Sequence, residues 1–290
     1  MSDMATWWDV ANSEIAKSLL GSALGAFAGA WTAQFIAERS KNDADNLKEF
    51  RAANVAATIA FGVTDAILNL KQQLTAPLIA QYEAGKSEFL LHLEYGCRNE
   101  IYEFHADLQE IPPIDVPIAQ LQKIVLEDIT APTRAIALTN VVFRMGLLLN
   151  KSIGDRNALT EEFRQNGVDP GQFYGLRTRQ GGDLRYLNSL EGIGVYCDSL
   201  IHFSKMLGND LVVYGKSVKS RLPKRLRRQA KGVTSVNFSK SADMLPDPAQ
   251  FQSWEESFIE SKKQSGFGLE SIFRGRKHKD NRGTSGANSA

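Results

Sequence analysis

Residues 18–37, SLLGSALGAFAGAWTAQFIA, run for twenty positions without a formal charge. A helix of that length, at about 1.5 Å rise per residue, extends about 30 Å, the thickness of a bilayer's hydrocarbon core. Charges bracket the stretch: Asp9, Glu14 and Lys17 before it, Glu38, Arg39 and Lys41 after it. Trp7 and Trp8 stand where an interfacial aromatic belt would lie. The composition is rich in Ala, Gly and Ser and includes Gln34, so its hydrophobicity sits near the lower limit for insertion. A secretory signal peptide fits less well, because the residues ahead of the apolar stretch are acidic and no small-residue cleavage site stands out.

Gly21, Gly25 and Gly29 recur every four residues and therefore share one helix face. Each glycine inside a helix costs about 1 kcal/mol relative to alanine. In lipid the same spacing lets two helix backbones approach closely. The sequence therefore predicts a transmembrane helix over residues 15–38 that self-associates into a homo-oligomer through Gly21, Gly25 and Gly29. The competing readings are an interfacial helix and a tight helix–helix contact in a soluble core. Lys17 is alone on the N-terminal side, against Arg39, Lys41, Lys48 and Arg51 on the other. The positive-inside rule then predicts a single-pass protein of the inner (plasma) membrane. Its short flank, residues 1–14, lies outside and its body is cytoplasmic.

The rest of the chain reads as all-α. Residues 39–222 carry the periodicity expected of an antiparallel helical bundle. A helix is expected over residues 44–84, kinked or ended by Pro77, with Gly85 as punctuation and a helical pattern again over 87–110. Residues 52–70 resemble a second span in hydropathy. Asn54, Asp65 and Asn69 interrupt them, which favours a soluble amphipathic helix. "IPPIDVP" (111–117) breaks the pattern. Helices follow over 118–129 and from Thr133, a candidate cap, to about residue 152, with a further short one beginning near Asp155 or Asn157. Residues 166–183 read as a glycine-dense loop. From Leu190 to Val218 apolar residues step alternately by three and four, a coiled-coil-like register that also suits one helix of an intramolecular bundle.

The formal net charge is only +1, but it is unevenly spread. Residues 223–290 carry 13 Lys/Arg and 7 Asp/Glu, leaving 21 and 26 in residues 1–222. The region 223–290 is expected to be a basic, largely disordered tail. Within it Trp254, Phe258 and Ile259 are spaced to dock on something. Lys216, Lys219, Arg221, Lys224, Arg225, Arg227, Arg228 and Lys231 form a run without an acid. On an anchored protein this run suits anionic lipid headgroups. On a soluble one it suits a nucleic-acid backbone, which is the alternative function.

No nucleotide loop, zinc-hydrolase motif or nucleophile elbow is present, so no enzyme and no cofactor is predicted. Glu100, Glu103, His105 and Asp107 form the densest polar cluster, but di-metal bundles need Glu-x-x-His on two helices. Arg144, in an apolar helix, is expected to snorkel or to pair with Glu94 or Glu103. Cys97 and Cys197 read as isolated buried thiols. The order of a short N-terminus, one small-residue-rich span and a helical body resembles bacterial inner-membrane proteins, without matching one family's motif residues. Gly25→Ile is expected to weaken oligomers in membranes, read by cross-linking. Unchanged association would remove the glycine face from the account.

Overall fold

The computed structural model describes residues 14–96, 102–176 and 182–257, with the side chains of 14–21 and 23–25 excepted. The described residues are helical or irregular, with no strand among them. The elements are α1 (Glu14–Leu70), α2 (Ala76–Tyr95), α3 (Ile118–Lys123), α4 (Thr133–Asn166), α5 (Pro170–Phe173), α6 (Arg185–Arg221) and α7 (Lys224–Gln229).

Helix α6 is the central element, and its face from Leu190 to Val218 is buried within the chain itself. It runs antiparallel to α1. Lys219 stands over Phe50, Ser204 meets Thr64, and Asp198 pairs with Lys71. Small residues set the separation: Ala53, Ala56, Ala57 and Ala60 are fully buried on α1. On α6, Gly208 leaves room for the Phe61 ring, whose Cε1 lies 2.5 Å from where a Cβ would stand. The buried Thr64 and Ser204 hydroxyls are 2.7 Å apart, each also within reach of a carbonyl of its own helix; one donates to the other, which donates to its helix carbonyl, so this polar pair is satisfied inside the apolar interface. Helix α4 flanks α6 on another side, also antiparallel, from Arg134–Asp210 at one end to Glu162–Arg185 at the other.

Several local expectations change. Pro77 neither ends the rod nor kinks it by itself. A π turn over Lys71–Thr75 precedes it, and Pro77 falls in the first turn of α2, where a missing N–H does no harm. Gly85 is inside α2, not at a break, because the Tyr174 hydroxyl occupies the place of its Cβ. Helix α4 runs unbroken through residue 152 to Asn166, and Pro132 precedes it without a side-chain cap from Thr133. The 166–183 region contains the short α5, whose first turn is capped by Asp169 accepting from the Gln172 N–H. Gly167 and Gly175 adopt φ of 76° and 68°, which glycine tolerates best.

The largest difference lies in residues 102–117, the second half of which was expected to break and the first to be helical. All of it is irregular and lies across α4. Two asparagines one heptad apart on α4 act as peptide surrogates. Asn157 accepts from the Ile111 N–H at 3.1 Å and donates to its carbonyl at 2.7 Å. Asn150 does the same for Ile114 at 2.8 and 3.1 Å. Arg156, fully buried, donates to the Gln109 and Asp107 carbonyls, and its guanidinium lies 5.7 Å from the Tyr186 ring centroid. These side chains supply the partners that a neighbouring strand would otherwise give. Beyond them Tyr82, Phe104, Phe163, Phe173, Tyr174 and Tyr186 gather from five segments into one aromatic cluster.

The expected disordered tail is packed as far as it is described. Residues 231–257 lie along α1 and α6. Phe238 meets Phe61, Phe251 and Trp254 meet Phe203, and the Met244 carbonyl accepts from Lys71. The docking expected of Trp254 occurs; Phe258 and Ile259 lie outside the described residues. A polar average composition hid a few well-spaced rings that fit the groove. Replacing Asn157 by Ala should leave two backbone groups of the buried Ile111 unpaired and cost about 1–3 kcal/mol. The readout is a lower urea midpoint at unchanged m-value. An unmoved midpoint would show that the pairing contributes nothing.

Candidate membrane interface

Helix α1 is continuous for 57 residues, about 85 Å at the ideal rise. Its C-terminal part, from Phe50 onward, is core. Its earlier part has no cover from this chain: every described side chain over residues 26–42 is exposed. Phe27, Trp31, Phe35 and Ile36 are 58 to 71 % exposed. An uncovered apolar array of this kind marks an interaction surface. The polar groups within it are already partnered. Thr32 donates to the Ala28 carbonyl at 2.8 Å, and Gln34 donates to Glu38 at 3.0 Å. Such internal pairing is what an apolar medium demands of a helix. At Gly29 nothing lies within 4 Å of the position a Cβ would take, so no contact within the chain requires glycine there. Gly21 and Gly25 are on the same helix, but their surroundings lie outside the described side chains.

Two helical stretches, Ala26–Tyr95 and Thr133–Asn166, are long and apolar enough by length and composition to cross a membrane. The window that qualifies in the first is 56 % buried, so it belongs to the part packed on α6, beyond the uniformly exposed residues 26–42. There Asp65 and Asn69 face outward and bond to each other, as the amphipathic reading of 52–70 expects. In the second, Leu138, Val142 and Leu149 are buried in the core.

The basic run lies at the end of the body from which the uncovered part of α1 emerges. The antiparallel pairing puts the end of α6 beside Phe50, and α7 follows directly. From Phe50 back to Glu38 is twelve residues, about 18 Å. The eight cations are not equivalent. Lys219 donates to the Ala230 and Lys231 carbonyls, and Arg227 donates to those of Ser220 and Leu222. These two fold the chain back after α6. Lys216, Arg221, Lys224, Arg225, Arg228 and Lys231 are exposed. Glu127 and Asp128, also exposed, offset part of this charge at the same end.

Glu49 ties three segments together at this level. Its Oε1 accepts from the Thr130 N–H at 2.8 Å and from the Tyr214 hydroxyl. Burial pushes its carboxyl pKa up, but the hydrogen bonds from Tyr214 and Thr130 and the nearby Arg221 charge outweigh it, so the pKa ends below its ordinary value. Burial and the Glu49 charge push the Tyr214 phenol up to about 12.

The candidate chemistry does not assemble. Glu103 and His105 are both highly exposed and 3.9 Å apart, while Glu100 lies outside the described residues. Among the described residues no three His, Cys, Asp or Glu side chains gather as a metal site. Arg144 is exposed and forms no ion pair with Glu94 or Glu103 among the described residues, so the pairing half of that expectation is corrected. Cys197 is buried, with its thiol pushed up to about 12 by desolvation, which makes it a poor nucleophile at neutral pH. Cys97 lies outside the described residues. Comparison with family models, curated proteins and solved structures gives no match.

Arg156 is the functional-looking residue that the sequence reading passed over. The signal was present, since it continues the buried register Leu149, Ile153 and precedes Thr160 and Phe163. Ending the helix at residue 152 concealed it. Because the Glu49 pKa is depressed on folding, its contribution is present above the ordinary carboxylate value, about 4.3, and lost as pH falls through the folded value. Glu49→Gln should therefore be less stable than the parent at pH 7, and the gap should close by about pH 3. Urea midpoints at the two pH values test this; an equal gap at both would contradict it.

Proposed function

We propose that this chain is a single-pass membrane protein whose helical body is held at the cytoplasmic surface and acts through self-association and partner binding. The observation that carries the reading is the uncovered apolar half of α1, continuous with a second half that is core. Water would solvate Phe27, Trp31, Phe35 and Ile36 poorly, at roughly 25 cal/mol per Å² of apolar surface. A bilayer removes that cost without asking anything of the body. The six exposed cations not bonded to backbone carbonyls then lie on the membrane-proximal end, where each one near an anionic leaflet contributes about 1 kcal/mol. Arg39, Lys41, Lys48 and Arg51 flank the same end and favour a cytoplasmic body. The open face at Gly29 suits contact with a second copy of the helix.

Fractionation of the expressed protein tests this reading. The protein should stay with the membrane pellet through an alkaline carbonate wash and leave only with detergent. Release by carbonate would reduce the contact to a peripheral one made by the basic run. A protein soluble from the start would overturn the reading and bring forward nucleic-acid binding by residues 216–231, with its steep salt dependence.

A further inference from the structure

A cavity of about 450 Å³ lies between α6 and the packed strap of residues 239–248. It lies along the body away from the emerging part of α1: its α6 wall is level with Phe61 and Thr64, well beyond Phe50. The volume falls within the range of small-molecule sites. One wall is a stripe of α6 formed by Ile201, Lys205, Met206 and Asn209, and the other is formed by Ala242, Leu245 and the prolines at 246 and 248. The walls are held in place independently of any occupant. Lys71 bridges Asp198 at 2.5 Å and the Met244 carbonyl at 3.1 Å, tying the strap to α6. His202 stacks on Phe251 with ring centroids 4.1 Å apart.

The polar groups sort into engaged and free. Asp247 lines the cavity, but its carboxylate accepts from the Ala249 N–H at 3.0 Å and caps the turn that follows. Pro246 and Pro248 have no N–H to offer. Lys205 and Asn209, one turn apart on α6, make no hydrogen bond or ion pair among the described residues. Among the described residues the cavity therefore presents apolar walls with Lys205 and Asn209 free along a single edge, beside the His202 imidazole, whose Nε2 lies 3.4 Å from the Glu255 carboxylate. That set matches an apolar body bearing one negative charge. A dianion would be under-neutralised by a single lysine, the more so with the Asp247 charge on the facing wall.

We propose that this cavity binds a small amphipathic monocarboxylate, with the carboxylate at Lys205 and Asn209 and the apolar part against Met206, Ile201 and Leu245. The test uses the full chain in nanodiscs of zwitterionic lipid, with empty nanodiscs as the blank, and 2-naphthoate as the probe in calorimetric titration. Saturable one-to-one binding is expected. Lys205→Met should weaken it at least about tenfold while leaving the neutral isostere 2-naphthylmethanol unaffected. Met206→Trp and, from the facing wall, Ala242→Trp should abolish binding of both probes. Their thermal midpoints serve as the check on folding, and either variant alone suffices if the other fails to fold. Absence of saturable binding to the parent protein would overturn the proposal, as would binding that survives both tryptophan variants. An equal response of acid and alcohol to Lys205→Met would overturn the assignment of the anionic group.

Discussion

The close packing of α1 on α6 fixes everything else about this molecule. Four alanines on one helix and Gly208 on the other allow the close approach, with Phe61 seated where Gly208 lacks a side chain. A helix does not bend freely without a proline, a π turn or an inserted side chain. Between Phe50 and Glu14 the helix has none that the structure records. The direction of the core half therefore dictates the direction of the uncovered half. It leaves the body beside the end of α6, so the basic run, the Glu49 knot and the emerging apolar segment share one end. Placement of the cations at the end from which the apolar segment emerges is thus a consequence of the core, not of a dedicated device.

The far end of the body is organised by polar groups in an apolar setting. Asn150, Arg156 and Asn157 give an irregular segment the hydrogen bonds that its backbone needs once it is pressed against a helix. A guanidinium without a carboxylate partner is an expensive thing to bury. Here carbonyl oxygens and the Tyr186 ring take the place of the counter-ion. The aromatic cluster around Tyr82 and Phe173 then closes over the same segment. Stability is divided between a tight small-residue interface near the end from which α1 emerges and this mixed cluster away from it.

What the sequence revealed followed from periodicity. The buried register of α6 was legible because it repeats over nine positions, and residues 52–70 were recognisable as core because Asp65 and Asn69 fall on one side. The break at 111–117 was legible from its prolines. The irregular segment before it was not, since the backbone of residues 102–110 is held by Arg156 and Arg164, 47 to 56 positions later, which no local pattern reports. Tertiary contact likewise converted part of the apparent tail into a strap, through single rings such as Phe238 and Trp254. For the candidate site, the apolar stretch, the glycines and the basic run were each visible in sequence. Their common location was not, nor was the diversion of Lys219 and Arg227 to backbone carbonyls. The cavity beside Lys205 was invisible because one of its walls comes from the strap.

The central claim is that one continuous helix passes from a lipid environment into a protein core. Nitroxide side chains placed singly at each position from 24 to 44 in the membrane-reconstituted protein would measure this directly, by comparing collisions with oxygen and with a water-soluble nickel chelate. The account predicts that oxygen dominates through residue 37, with its maximum near the middle of the apolar stretch, and that the chelate takes over from Glu38 onward. Dominance of the chelate throughout residues 24–37 would contradict it.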